Sequence, residues 1–205
     1  MLAFAIVSGA ICLGLSPYLA RLTLSVPDRS DRRWWRGRTA SAPRQAATAG
    51  TALALGVLAG LARQPAFVWL ALCATPLVVI DLEHHRLPDR LVLSAGIGGA
   101  LLLALPGDWG RWAGALLGAA AVLAALAVLS LVGHFGFGDV KLGAALGLYL
   151  GWSGWSSVLD GLVLGFVLGG AAALGLLMAG RAGRKTAIAF GPWLTLGALL
   201  APLIA

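Results

Sequence analysis

The feature that most constrains this chain is a series of long apolar runs, separated by short polar breaks. Only 11% of its 205 residues are charged, and the mean hydropathy is +0.90. In soluble domains about a quarter of the residues are charged. A chain this apolar has too little polar surface to cover a core in water, so we expect an integral membrane protein.

The same runs favour helices over a membrane β-barrel. Barrel strands alternate apolar and polar residues, whereas this chain has unbroken Leu, Ala and Val runs, with 29 Gly and two Tyr. A helix also satisfies its own backbone hydrogen bonds in lipid. We therefore predict an all-α, polytopic transmembrane helical bundle of about eight spans. They are expected at residues 2–24, 46–62, 66–82, 90–105, 111–132, 140–152, 157–180 and 187–204.

The basic residues predict how the spans are oriented. If the spans alternate and the arginine-rich loop is cytoplasmic, only Arg63 and Arg111 fall on the opposite side, as the positive-inside rule requires. The formal net charge of +7 is thus explained by orientation and contact with lipid, and no nucleic-acid partner is expected. The whole chain, 1–205, is interpreted as one membrane-embedded domain, with a first span 1–24, a basic cytoplasmic loop 25–45 and a bundle 46–205.

Several conspicuous polar and aromatic residues have ordinary structural explanations. Asp28 and Asp31 lie among arginines of the first loop. Asp108 follows Pro106 and Gly107 in a turn, and Asp160 is expected to cap the seventh span. An interfacial aromatic belt on the outer face is expected to contain Trp109, Trp112, Trp152 and Trp155.

Two other carboxylates are less easily explained. Asp81 ends the apolar run PLVVI, where low dielectric disfavours an ionised group, although it also fits a residue that marks the membrane boundary. Asp139 lies in GHFGFGDVKLG, where glycines at 133, 136 and 138 allow close backbone approach, although it also fits an N-cap of a helix beginning at Val140. By the span count, both emerge on the cytoplasmic face.

Two carboxylates that meet at one face form the minimum apparatus of an aspartic protease. One must be ionised to accept a proton from water, and the other protonated to donate one. Lys141 is expected either to stabilise their shared charge or to reach lipid headgroups. His84 and His85 lack the HExxH spacing of a metal site, so no metal is predicted.

Three stretches together resemble the prepilin peptidases, the bacterial branch of the GxGD intramembrane aspartic proteases. The first runs from Asp81 to the Pro88-Asp89 pair, and the second is the run from Gly136 and Gly138 through Asp139 to Lys141. The third, AIAFGPWLTLGALLA, is similar to that family's C-terminal Phe-Gly-Pro span, here Phe190, Gly191 and Pro192. The resemblance implies a helical bundle with Asp81 and Asp139 as the catalytic pair. It leaves Asp89, which also fits an N-cap, as a motif residue outside the pair.

The resemblance also implies a function. The implied protein is an endopeptidase of the cytoplasmic membrane that removes the short basic leader of type IV prepilins or pseudopilins. Its active site is expected to face the cytoplasm and to use no cofactor. Many members carry a cytoplasmic domain with two CxxC pairs, which is associated with methylation of the cleaved product. Here the 25–45 loop contains no cysteine, so N-methyltransferase activity is not expected.

Two alternatives remain open from the sequence. A transporter or cation-conducting bundle could use Asp81 and Asp139 as a proton relay or ion site. That function predicts further polar residues in the centres of the spans, and spans two, five, seven and eight offer almost none. A catalytically idle relative that serves as an assembly scaffold is the other alternative, although the presence of both aspartates argues against it.

Overall fold

The computed structural model describes residues 2–25, 40–132, 136–181 and 188–204, and within them the fold is entirely helical, as predicted. Eight helices follow one another, close to the expected spans. The basic loop is shorter than predicted, because α1 continues to Ser25 and α2 already begins at Ala42; most of it lies outside the described residues. The helices are α1 (Leu2–Ser25), α2 (Ala42–Leu61), α3 (Pro65–His84), α4 (Asp89–Ala104), α5 (Trp109–Val132), α6 (Phe137–Ser153), α7 (Trp155–Met178) and α8 (Gly191–Ile204).

Glycines bring neighbouring helices into backbone contact in three antiparallel pairs, α1 with α2, α5 with α6 and α7 with α8. A Cβ atom on Gly118 of α5 would lie 2.6 Å from the Gly147 carbonyl oxygen of α6, and the reverse distance is also 2.6 Å. In α7, a Cβ on Gly165 would lie 3.1 Å from Leu194 of α8. Since lipid tails are as apolar as leucine, such close van der Waals packing drives association in a membrane.

Helix α3 lies at the centre of the bundle. It packs against α1, α2, α4 and α8. In its most apolar 18-residue stretch 72% of the residues are buried, whereas the share is 33% or less in α1, α5 and α7. Among the described residues, α1, α3, α5 and α7 are long and apolar enough to cross a membrane by length and composition. About eight spans were predicted, and the described residues form eight helices, of which these four satisfy that criterion. Helix α2 is as long as α3 but does not satisfy it, and α4, α6 and α8 are shorter.

Local chain chemistry ends and starts the helices near the predicted breaks. His85 adopts a left-handed backbone conformation with φ 51° and ends α3, and Pro88 then occupies the N-cap position of α4. Asp108 accepts a hydrogen bond from the Arg111 N–H at 3.1 Å, as its predicted turn position requires. Gly154, with φ 133°, separates α6 from α7 in a conformation that favours glycine.

Asp160 was expected to cap a helix, and Asp89 and Asp139 also fitted caps, but none of the three is an N-cap in the structure. Asp89 is the first residue of α4 and not its cap, and Asp139 lies in the first turn of α6, whose N-cap is Gly136. Asp160 lies inside α7, which begins at Trp155. In each case the helix begins earlier than hydropathy suggests, because polar residues and glycines are tolerated in a first turn whose N–H groups have no intrahelical partner.

The aromatic belt was only partly predicted. Trp109 and Trp155 are exposed where α5 and α7 begin, whereas Trp152 is buried. Trp112 donates a hydrogen bond from Nε1 to the Ala100 carbonyl oxygen at 3.3 Å, which joins α5 to the end of α4. The indoles at this end of the bundle therefore divide between the surface and helix packing.

Candidate active site

One end of the bundle collects the ion pairs between helices among the described residues. There the end of α3 meets the beginnings of α2, α4, α6 and α8. Arg44 of α2 forms an ion pair with Glu83 of α3, and Lys141 of α6 pairs with Asp89 of α4 at 2.8 Å. Asp81 and Asp139, which lie 58 positions apart in the sequence, are brought together at this same end.

Asp81 is held by the beginning of α8. Its side chain lies in the last turn of α3 and is buried, with 4% of the residue exposed. The Gly191 N–H donates a hydrogen bond to Asp81 Oδ2 at 3.0 Å. Gly191 begins a helix of 14 residues, so the positive end of that helix dipole faces the carboxylate. The buried Asp81 carboxylate therefore has a hydrogen-bond donor, and the α8 dipole stabilises its negative charge.

Gly191 is also required sterically at this position. A Cβ atom there would lie 2.8 Å from Asp81 Oδ2 and 3.3 Å from Leu87 Cδ2. The Thr195 hydroxyl donates a hydrogen bond to the Gly191 carbonyl oxygen at 2.9 Å, which fixes the first turn of α8. The predicted Phe-Gly-Pro motif therefore contributes a backbone N–H to the site, and the absence of a side chain at its glycine allows the approach.

Asp139 has a different environment. It lies in the first turn of α6, and its Oδ1 atom is buried without a hydrogen-bond partner among the described residues. Its Oδ2 atom faces Gly136, where a Cβ would lie only 2.9 Å away. Asp139 is near enough to Asp81 for their charges to interact. The two carboxylates therefore differ. A backbone N–H donates to Asp81, whereas one oxygen of Asp139 has no hydrogen-bond partner among the described residues.

Leu87 packs between the helix that carries Asp139 and the helix that donates to Asp81, and no sequence pattern marked it. A Cβ on Gly138 would lie 3.2 Å from Leu87 Cβ, and the same leucine contacts the position of Gly191 on the other side. Leu87 thus packs between the beginnings of α6 and α8. A single leucine in a four-residue connection has no periodicity to mark it.

Phe190 and Pro192 anchor α8 and lie beside the carboxylate pair. The Phe190 ring packs on Phe166 of α7 with the centroids 5.2 Å apart, and a Cβ on Gly169 would lie 2.7 Å from that ring. Pro192 is buried in the first turn of α8, where the missing N–H of a proline is not needed. Together they hold Gly191 at Asp81.

Lys141 pairs with a residue of another helix, a contact that the sequence did not predict. Its Nζ donates to Asp89 Oδ1 at 2.8 Å and lies 5.2 Å from the centroid of the Phe137 ring. Pro88 accepts hydrogen bonds from the Leu91 and Val92 N–H groups through its carbonyl oxygen, and so orients the turn that carries Asp89. These motif residues join α4 to α6 and do not contact the carboxylate pair directly.

The segment around Gly136 is more helical than expected, since α6 already begins at Phe137. Position 133 of the predicted glycine segment lies outside the described residues. Residues 137 and 138 lie in the first turn of this helix, where N–H groups have no intrahelical partner.

Several buried hydroxyls elsewhere in the bundle are satisfied locally, whereas the buried Ser157 Oγ of α7 has no hydrogen-bond partner among the described residues. Ser8, Thr48 and Thr75 each donate to the carbonyl oxygen four residues earlier in their own helix, and Thr23 donates three residues back. Within the described part of the chain, Asp81 is the only charged residue among those classed as buried. No group of three His, Cys, Asp or Glu residues suited to a metal was found among the residues described. A continuous polar path through the bundle is thus not formed there.

Comparison with known proteins identifies relatives over most of the chain. The sequence profile of the type IV leader peptidase family matches residues 66–179, a range that contains both carboxylates. The chain is similar to the prepilin leader peptidase/N-methyltransferase of Aeromonas hydrophila, with 37% identity over 134 residues, or 62% of this chain and 45% of the relative. It resembles the protein of that name from Pectobacterium carotovorum with 36% identity over 156 residues, or 71% and 53% of the two chains.

A third relative of the same name, from Bacillus subtilis, is 33% identical over 155 residues, or 73% of this chain and 60% of the relative. The chain thus spans about half the length of the curated relatives it matches. No solved structure gives a significant match. The predicted resemblance is confirmed by the profile and by these relatives.

Proposed function

Because this chain belongs to the type IV leader peptidase family, we propose that it is a membrane-embedded aspartic endopeptidase that removes the leader of type IV prepilins or pilin-like proteins. The bond that it cleaves lies at the cytoplasmic face, between a basic leader and the apolar helix that follows. The catalytic pair is Asp81 and Asp139. The scissile carbonyl and one water molecule occupy the space between them.

The unequal environments of the two carboxylates carry this proposal. The Gly191 N–H and the α8 dipole favour the ionised form of Asp81, because a hydrogen bond to a carboxylate stabilises its charge. Asp139, with one buried oxygen that has no donor among the described residues, is suited to carry the proton. Two neighbouring carboxylates that cannot both ionise cheaply share one proton, which is the starting state of an aspartic protease.

The reaction then needs only these two groups and water. Asp81 accepts a proton from water as the water oxygen attacks the peptide carbonyl carbon, and Asp139 donates its proton to the carbonyl oxygen. When the tetrahedral intermediate collapses, Asp81 passes its proton to the leaving nitrogen and Asp139 recovers its own. The carbon–nitrogen bond breaks, and the carboxylate pair returns to its original protonation.

The local pairing of buried hydroxyls argues against the transporter alternative. A proton or cation path through the membrane requires a series of polar groups. In the described spans the buried hydroxyls of Ser8, Thr48 and Thr75 donate to carbonyls of their own helices, and the remaining buried hydroxyls form no series that leads to the carboxylate pair. The carboxylate pair at one end has no polar continuation there, which suits a site open from one face.

The proposed activity is tested with purified protein in liposomes and a panel of tagged type IV prepilins and pseudopilins. We expect at least one substrate to lose its leader, seen as a shift on a gel and as a new N-terminus by sequencing. The relative from Bacillus subtilis serves as a parallel enzyme on the same panel. Cleavage of panel members by that relative, with none cleaved by this protein, would contradict the proposal.

Sidedness gives a separate prediction. In a protein lacking Cys12 and Cys73, a cysteine at His85, next to the site, is expected to be protected from an impermeant thiol reagent added outside intact cells. Cysteines at Gly107 and Ser153, which are exposed beyond the opposite ends of α4 and α6, are expected to react. Labelling at position 85 from outside, with protection at 107, would place the carboxylate pair on the wrong face.

Cleavage is expected without methylation. Both cysteines of the chain are buried in helices, at Cys12 and Cys73, so neither contributes to a CxxC pair such as the one associated with methylation. Mass spectrometry of a substrate processed by this protein alone should give an unmodified N-terminus. A quantitatively methylated product would contradict the expected absence of methylation.

Cleavage should also persist in a metal chelator, because the proposed chemistry needs only two carboxylates and water. Loss of cleavage in the chelator would contradict this metal-free chemistry.

A further inference from the structure

A groove lies between α4 and α6, with one residue of α5 at its edge. We call it the α4–α6 groove; its volume is about 490 Å³. The floor is formed by small residues, Gly96 of α4 and Ala144 and Ala145 of α6. Leu93 and Ile97 rise on the α4 side and are both more than half exposed. The body of the groove is thus apolar and open along its length.

The groove is held in shape by a buried hydrogen bond beneath it. The Tyr149 hydroxyl donates to the Ala95 carbonyl oxygen at 2.6 Å, and Tyr149 is fully buried. A Cβ on Gly99 could not be accommodated beside that phenol. Helices α4 and α6 are therefore fixed to each other below the groove, so that it is a preformed surface.

The polar end of the groove adjoins the proposed active site. Its mouth is the ion pair of Asp89 and Lys141, and Lys141 is two residues beyond Asp139 on the same helix. Two residues correspond to about 200° of helix rotation, so these side chains leave opposite sides of α6. Both lie near the beginning of α6, so a bound chain reaches Asp139 by passing over the helix end, not through the bundle.

We propose that the α4–α6 groove binds the apolar helix of the substrate and delivers the leader junction to Asp81 and Asp139. This inference rests on the proposed function. It assigns a docking surface on the opposite side of α6 from the carboxylate pair and a substrate path over the beginning of α6.

The dimensions of the groove suit a helix. Its lining runs along α4 from Asp89 to Ala100, which at about 1.5 Å per residue is a length of roughly 16 Å, or three turns of a bound helix. Crossing the end of α6, a helix of about 10 Å diameter, takes about three extended residues at roughly 3.3 Å each. A short extended segment therefore lies between the bound helix and the scissile bond, where its carbonyls are accessible.

The charge at the mouth suits the same substrate. The Asp89 side chain is 62% exposed, against 41% for Lys141, so the mouth presents a carboxylate to the surface. When the apolar helix of the substrate lies in the groove, its end toward the leader lies at this level, and the basic leader continues beyond the scissile bond at the same end of the bundle. A lipid acyl chain would match the apolar body but not this change in charge along its length.

The first test uses photocrosslinking in a cleavage-deficient protein that carries Asp81→Asn and Asp139→Asn. A photoreactive phenylalanine is placed at Ile97 in the groove or, as a matched control, at Val167, an equally exposed apolar residue of α7. The probe is a tagged prepilin that the wild-type protein cleaves in the assay described above. We expect prepilin adducts at position 97 at least ten times more abundant than at 167.

The second test fills the groove. Gly96→Leu should raise KM for the same prepilin in liposomes at least tenfold and change kcat less than threefold, because the carboxylate pair is untouched. Gly170→Leu on α7 is the control, since nothing lies within 4 Å of a Cβ there, and it should leave both constants unchanged. A general packing defect in the Gly96 variant would instead lower its thermal stability and its kcat.

The outcomes separate this inference from the proposed function. If wild-type protein cleaves the prepilin, but adducts are equal at 97 and 167 or consist of lipid only, the docking surface is overturned and the peptidase stands. An unchanged KM in Gly96→Leu would also overturn it. If no prepilin is cleaved by the wild-type protein while the parallel relative cleaves the panel, the proposed function fails and this inference fails with it.

Discussion

Replacing either Asp81 or Asp139 with asparagine is expected to lower prepilin cleavage by on the order of 10³-fold or more, because general acid and base groups each contribute about 10² to 10⁴. An amide can neither accept the proton of the attacking water nor share one with its neighbour. Each asparagine is nearly the same size as the aspartate, so the fold should be retained. Initial cleavage rates in liposomes, with protein content matched by fluorescence, provide the measurement.

The control for this loss is Asp108→Asn. Asp108 immediately precedes α5 at the other end of the bundle, where its side chain accepts from the Arg111 N–H, and asparagine caps a helix about equally well. Its activity and thermal stability should equal those of the wild-type protein. The comparison requires that both aspartate variants are folded. A cleavage rate within tenfold of wild type in either Asp81→Asn or Asp139→Asn would then contradict the aspartic mechanism.

Gly191→Ala is expected to reduce kcat by about 100-fold, the scale of loss from a 1 Å misplacement of a reacting group. The new methyl carbon would lie 2.8 Å from Asp81 Oδ2, so either the carboxylate turns or α8 withdraws. In both cases Asp81 loses the N–H donor that supports its ionised form. The measurement is a full kinetic analysis, because a displaced carboxylate lowers kcat more than it raises KM.

Gly165→Ala is the matched control for Gly191→Ala. It adds the same methyl group to another contact of α8, the one with α7, where the methyl would lie 3.1 Å from Leu194 and meet side-chain and backbone atoms rather than a carboxylate. Both variants are expected to lose some thermal stability, whereas only Gly191→Ala should lose most of its kcat. Equal kinetic losses in the two variants would mean that Gly191 serves packing alone.

The sequence predicted the helices well because the signals for them are local. A run of some twenty apolar residues identifies a helix in lipid without reference to the rest of the chain, and Pro65, His85 and Gly154 lie where helices begin or end. The beginnings of helices were less accurate. Asp89 and Asp139 both fitted an N-cap, which for Asp139 was the alternative to a catalytic role, because hydropathy rises after them, yet a first turn tolerates charge.

The predicted pairing of Asp81 with Asp139 also came from the sequence, through the order of spans and a resemblance of motifs. Their proximity in the structure agrees with it. Their unequal surroundings could not be predicted, since the donor to Asp81 comes from Gly191, which is 110 positions away. The partner of Lys141 was missed for the same reason, as Asp89 belongs to another helix.

The sequence by itself thus determined which segments are helical, that they suit a membrane, and which carboxylates share one face. Apolar periodicity, turn residues and charge distribution act over a few neighbouring residues, so they can be read along the chain. Only the tertiary structure decided which oxygen of Asp81 accepts a backbone N–H, where Leu87 packs, and which helix faces enclose the α4–α6 groove. These features depend on ångström-scale approaches between helices at glycines, and such distances are set by the packing of the whole bundle.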